Sequence, residues 1–255
     1  MRAVRAEWIK LWSVWSTWVA LGVAAAFSFG LGLADTVSAV RGWETMPAAD
    51  RAAFDPLGSA FAGLTFAQLA LGVLGVLIVT SEYSTGTIIA ARTAQPRRGA
   101  AFTLKAGTAA GVALVIGQAL AFGSYLLGQA VLHGKHLDVG LAAPGVLRSV
   151  ASAGLYLGVV TMVGFGLGAL LRHPAAATSA LFAVVFLAYG AAKAVEAWSY
   201  LPSRLVLSNA GDVMAQVHAV AAKPRLPSLA LAYVDLALYL IAALGLGAWR
   251  STRDV

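Results

Sequence analysis

The residues of this chain that could do chemistry are few and widely separated. Asp235 is the most informative: it is the one charged side chain inside any of the long apolar runs. A carboxylate at membrane depth costs about 3 kcal/mol even on insertion scales, so it must face protein or water. Tyr239 lies four residues on, shares its helical face and is in reach of a hydrogen bond to it. A substrate-pathway or proton-linked role and a structural lock between two helices both fit this placement. Gln118 is a cheaper polar group within an apolar run and a further candidate for the pathway. Gln68 and Gln129 are of the same kind, and such amides commonly join helices. His133-Gly-Lys-His136 has metal-ligand spacing, but only Asp138 stands near as a third ligand, and a solvated loop is expected there.

Catalytic spacing is otherwise absent from the sequence. It contains no G-x-x-x-x-G-K-[ST] phosphate loop, no H-E-x-x-H and no G-x-S-x-G. Cysteine is missing altogether, which excludes disulfides, thiolate metal sites and cysteine nucleophiles. The expectation is a chain that is not itself an enzyme and holds no cofactor or metal.

The elements that must position these groups are set by composition. Apolar residues make up 60% of the 255 and charged residues 11%, against about 45–50% and 25% in soluble domains. Too few polar groups remain to cover a soluble fold of this size, so an all-α integral membrane protein is expected. The net charge of +7 fits basic flanks on anionic lipid headgroups, not a nucleic-acid partner. Six runs reach the roughly 20 apolar residues that a spanning helix needs: Val14–Ala34, Leu57–Thr80, Gly107–Val131, Val150–Leu171, Ala175–Ala192 and Ser228–Trp249. Backbone groups in lipid must be satisfied internally, so these runs are read as helices of one transmembrane domain over residues 1–255.

Ahead of the first run, Val4, Trp8, Leu11, Trp12 and Trp15 fall on one helical face, with Glu7 and Lys10 among them. An amphipathic helix lying in the headgroup plane presents such a face; a first span that starts early with an aromatic belt is the alternative. With both termini cytoplasmic, the inner segments hold ten Lys/Arg and the outer segments eight, and four of the ten sit in the single loop 81–106. That favours a cytoplasmic N-terminus. The outer loop 193–227 carries Trp198, Tyr200, Leu201, Leu205, Leu207, Val213 and Met214, too apolar for free solution, and short helices packed at the bundle mouth are expected. Gly164-Phe-Gly-Leu-Gly168 and Gly107-Thr-Ala-Ala-Gly111 are small-xxx-small patterns that let helices approach closely.

The inner loop after the second run is the most distinctive segment. It reads Ser81-Glu-Tyr-Ser-Thr-Gly-Thr-Ile-Ile-Ala-Ala-Arg-Thr-Ala-Gln-Pro-Arg-Arg-Gly99. Thr85 or Thr87 supplies a helix cap and Gly86 a sharp turn, and Pro96 ends the helix. A short helix displayed for a cytoplasmic partner is expected. The pattern Glu82, Tyr83, Gly86, Thr87, Ile88, with Arg92 following and then Pro96-Arg97, resembles the coupling-helix loop of type-two ABC exporter permeases. The segment Arg5-Ala-Glu7-Trp8-Ile-Lys10-Leu11 is similar to that family's interface helix. Asp235 lies outside the resemblance.

The resemblance implies a multi-pass subunit of a bacterial cell membrane with two short outer helices between the fifth and sixth spans. It further implies two permease copies, more readily a homodimer, each docked to a separate cytoplasmic P-loop ATPase that carries the ATP and Mg. Glu82, Tyr83, Gly86, Thr87, Ile88 and Arg92 would take the ATPase contact. Glu7, Trp8, Lys10 and Leu11 would take the membrane face. The exported compound would be amphipathic or hydrophobic. An ion-gradient-driven secondary transporter would show several midplane ionisable groups, where this chain has Asp235 alone. A non-transporting membrane scaffold is the other alternative.

Overall fold

The chain is seen in a computed structural model, which describes residues 9, 12–84, 98–195, 203, 205–216 and 228–252. All regular structure among them is helical: α1 (Trp15–Gly42), α2 (Ala48–Ala52), α3 (Pro56–Phe61), α4 (Leu64–Ser84), α5 (Arg98–Leu132), α6 (Val146–Leu171), α7 (Pro174–Phe182), α8 (Ala188–Val195), α9 (Leu207–Ala215) and α10 (Leu229–Thr252). Residues Ala183–Leu187 between α7 and α8 form a π-helical turn. Six of the resulting rods are long and apolar enough to cross a membrane, over Trp15–Gly42, Pro56–Ser81, Phe102–Lys135, Val146–Leu171, Pro174–Ala194 and Leu229–Ser251. Each contains one of the six runs expected from the sequence or overlaps nearly all of it.

Most rods outrun their apolar stretch. The first continues through Asp35 to Gly42, and α5 begins at Arg98, nine residues before the apolar run of the third span. Helical hydrogen bonding continues wherever nothing stops it, whereas hydropathy reports only the part that must sit in hydrocarbon. The stops are local. Arg172 ends α6 in the left-handed conformation, its N–H bonding Gly168 O at 2.8 Å. His173 then caps α7, with Pro174 at its first position. Asp55 caps α3 by accepting from Leu57 N at 3.0 Å.

At the chain start, Ile9, Trp12 and Ser13 are helical, and Val14 is extended, so α1 does not run back unbroken past Trp15. The indole of Trp18 bridges the break by donating to Trp12 O at 3.0 Å. Glu7, Trp8, Lys10 and Leu11 lie outside the described residues.

α6 is the hub. In its apolar window 78% of residues are buried, against 17% in that of α10, and it packs on α4, α5, α7, α9 and α10. Glycines make this possible. A Cβ on Gly75 would stand 1.9 Å from Thr161 O, and one on Gly164 would stand 2.0 Å from Gly72 O. Gly168 meets Val76. On other faces Gly117 meets Gly154, and Gly166 meets Ala243 of α10. The pattern at 164–168 therefore joins helices as expected. The pattern at 107–111 does not: Gly107 and Gly111 are exposed, with nothing near either Cβ position. They lie where α5 has no neighbouring helix among the described residues.

Candidate functional site

One end of the bundle is made by the 42–56 turn, the 132–146 connection and α9. There a cavity of about 440 Å³ opens between α3, α4, α6, the π turn and α9. Its volume falls in the range of small-molecule sites, about 300–1,000 Å³. The floor is Gln68, Tyr156, Phe61 and Val185, all buried. The rim carries the exposed carboxylates of Asp55 and Asp212, and Tyr189.

Each wall has a local cause. Gln68 sits one turn before Gly72 on the face of α4 that meets α6, so the amide projects into the gap where the two backbones are no longer in contact. Its Oε1 accepts from the Tyr156 hydroxyl, and its Nε2 donates to Thr65 O at 2.8 Å. The π turn holds one extra residue per turn and turns Phe186 and Tyr189 into the cavity wall. Ser208 of α9 donates to Val185 O within that turn at 2.6 Å.

The roof, α9, is tied on several sides. Arg148 and Ser149 of α6 donate to Gln216 O just past its end, at 2.9 Å and 2.8 Å. Tyr239 of α10 donates to Leu205 O at 2.9 Å just before its start. Inside α9, Gly211 lies flat on the Tyr156 ring, where a Cβ would come 2.6 Å from a ring carbon. This apolar, packed segment is one of the short helices expected within 193–227.

The residues singled out in the sequence lie elsewhere. Asp235 is only 7% exposed on α10, and no donor or cation meets its carboxyl among the described residues. The hydrogen bond considered from Tyr239 to Asp235 is not formed. The tyrosine hydroxyl reaches beyond its i−4 neighbour to the carbonyl of Leu205, which has no helical partner. Gln118 donates to Ala151 O at 2.9 Å across the α5–α6 seam, and its Oε1 is buried without a partner. Neither Asp235, Tyr239 nor Gln118 lines the cavity. Gln129 accepts from Val139 N at 2.7 Å, fastening the connection after α5 instead of a second helix.

Of the loop residues, Glu82 and Tyr83 lie in the last turn of α4, while Gly86, Thr87, Ile88 and Arg92 lie outside the described residues. The histidine pair forms a small surface cluster. His133 Nδ1 stands 3.1 Å from Asp138 Oδ2, a contact that holds the Asp138 carboxyl below its usual range. Lys135 donates to Glu44 at 2.6 Å and likewise holds that carboxyl low. No three His, Asp or Glu cluster as a metal site among the described residues.

The cavity escaped sequence reading because its walls come from four separated stretches of chain. Only Gln68 was marked, as an amide that joins helices. The chain matches no family model, no curated protein and no solved structure.

Proposed function

We propose that the chain is the membrane subunit of an ATP-driven exporter of the type-two ABC class. It would work as a pair of copies, with a separate cytoplasmic ATPase docked at the 82–92 segment, and move an amphipathic or hydrophobic compound. Both termini lie on the cytoplasmic side in this reading, which six crossings allow, and the cavity then faces outward.

The observation that carries the proposal is the continuity of α4. The same helix holds Glu82 in its last turn and Gln68 in the cavity wall, about 21 Å apart along its axis. α5, on the far side of the 85–97 segment, begins at Arg98 and also packs on α6. Force applied at the docking segment would thus enter two helices seated on the hub, one of which reaches the cavity. These 255 residues contain no phosphate loop, so in this reading ATP is bound outside them.

The test is affinity purification of the tagged chain from its native cell in mild detergent, with mass spectrometry and an ATPase assay of the eluate. A near-stoichiometric P-loop ATPase, lost on replacing Glu82–Arg92, is expected. Glu82→Ala and Gly86→Pro should leave the protein folded and separate hydrolysis from transport. Normal transport by both variants with the ATPase present would overturn the coupling role.

Asp235 favours a second reading, a carrier driven by an ion gradient, because a buried carboxyl within a span that meets no donor among the described residues is suited to a proton site. Recovery of the chain alone, together with transport that collapses in Asp235→Asn, would select it.

A further inference from the structure

We infer that Asp235 is a proton-binding site that latches α9 over the cavity. With the proton bound, Tyr239 holds the start of α9; with the proton gone, Tyr239 turns to the carboxylate and that tie opens. The inference rests on neither driving force for transport, and its test needs no ATPase and no cargo.

What carries it is one hydroxyl placed between two acceptors. Long side chains on a helix lean toward its N-terminus, over the residue four positions back. Tyr239 therefore leans across Asp235, and its hydroxyl ends on Leu205 O at 2.9 Å, two residues before α9 begins at Leu207. Asp235 beneath it is 7% exposed, and its carboxyl meets no donor or cation among the described residues. A charge within a span is costly unless a donor meets it, so a carboxyl in that setting carries its proton. α10 packs on α6, α9 and α5. The described titratable or charged side chains on those elements are Arg148 and Tyr156 of α6, Asp212 of α9, and Lys105 and Tyr125 of α5. Arg172, just past α6, bonds Arg250 O at the far end of α10. None of these is bonded to Asp235 among the described residues. Tyr233, two residues before it, projects from another face of α10 and shares a hydrogen bond of 2.5 Å with Ser152.

Loss of the proton changes which acceptor is the stronger. A hydrogen bond to a carboxylate is roughly twice as strong as one to a neutral carbonyl, and the Tyr239 hydroxyl is a donor already lying over Asp235. Its move frees Leu205 O, and Leu205 is 61% exposed, so water can take that carbonyl. Of the described ties on α9, those of Ser208 to Val185 O and of Arg148 and Ser149 to Gln216 O remain. The chain leading into α9 is then loose, and the roof of the cavity can swing about the ties that are left. Proton binding and roof closure are in this way two ends of one hydrogen bond.

The test uses the purified full chain in lipid nanodiscs. The sequence has no cysteine, so spin labels can be placed at Leu205→Cys and Ala49→Cys, both exposed at the cavity end, and their separation read by double electron–electron resonance. Between about pH 5 and about pH 9 the share of a second, released distance should rise about tenfold. Asp235→Asn, which cannot ionise, should keep the latched distance throughout, and Tyr239→Phe should show the released one throughout. Infrared difference spectra of the parent should lose the absorption of a protonated carboxyl over the same pH range. That readout needs no substitution at Asp235, so it stands where the Asn variant does not fold. One unchanged distance in the parent at every pH would overturn the inference. So would a pH response that survives in Asp235→Asn, a latched distance in Tyr239→Phe, or labels that move while the protonated-carboxyl absorption stays. Any of these would leave the ATPase purification, and the exporter reading with it, as they are.

Discussion

The two halves of the α4–α6 contact are built on opposite plans. From Gly72 to Val76 on α4 and Thr161 to Gly168 on α6 the backbones touch, with glycines removing every side chain that would hold them apart. From Leu64 to Gln68 and Ala153 to Tyr156 the same two helices are bridged by side chains around an open cavity. The first half gains dispersion contact over its whole length, which is what joins helices when lipid is as apolar as the side chains. The second half gives up that contact and gains an open volume lined by both apolar and polar side chains. One pair of helices thus provides a stiff joint at one end and room for a ligand at the other.

The strongest way to break this comparison is to put a side chain into the joint. Gly75→Leu or Gly164→Leu should cost about 3 kcal/mol or more, seen as loss of monodisperse protein or a large fall in Tm in detergent. Gly22→Ala, on a face with nothing nearby, should be neutral or slightly stabilising. If the two sites respond alike, backbone contact is not what holds α4 on α6. A smaller effect is expected at the open half. Tyr156→Phe leaves Gln68 Oε1 without its donor and should lower stability by about 1–2 kcal/mol in a thermal-shift assay. A stability loss as large as that of Gly75→Leu would make the cavity a structural element instead of a tolerated gap.

Away from both halves, Ser28 and Ser124 share a buried hydrogen bond of 2.7 Å between α1 and α5. Ser28→Ala should cost about 0.6 kcal/mol, the usual worth of such a bond between spans. A loss several times larger would show that polar bonds hold this bundle as much as glycine contacts do.

The weakest tie is at the surface. Lys135 holds the Glu44 carboxyl below its ordinary value of 4.5, so the folded state binds a proton there less readily than the unfolded chain. The contribution is therefore present above about pH 4.5 and is lost as pH falls through the lowered value. Because Glu44 is exposed, the Tm difference between the parent and Glu44→Gln should be barely detectable at neutral pH and should shrink further on acidification. A difference that grows on acidification would contradict the pairing.

The six rods were legible because lipid imposes one rule on the whole chain, an uninterrupted apolar run with internal hydrogen bonds. Where each rod ends was less so: Arg98–Ala106 and Asp35–Gly42 are helical although polar enough to read as loop. The glycine run at 164–168 packs helices as read, yet the same spacing at 107–111 meets no neighbour among the described residues. Spacing tells that helices could approach and says nothing of whether a neighbour is there. The cavity lay furthest from view. Its floor depends on Tyr156, a residue that looks like ordinary core, and on a π turn in an unremarkable run, Ala183-Val-Val-Phe-Leu187. Asp235 drew notice because a charge in an apolar run is conspicuous, while Asp55 and Asp212, which rim the cavity, lie in connections between the apolar runs and carry no such signal.

The backbone contact at Gly72–Gly75 also has a mechanical meaning. Taken as a fulcrum, it divides α4 into an arm of about 14 Å to Ser84 and an arm of about 12 Å to Leu64. Arms so nearly equal return almost the displacement they receive, reversed in direction: a 1 Å inward push at Ser84 would swing Leu64 outward by a little under 1 Å. The joint would therefore work as a reversing link that widens or narrows the cavity by less than the width of an atom, enough to loosen a ligand held by a few hydrogen bonds.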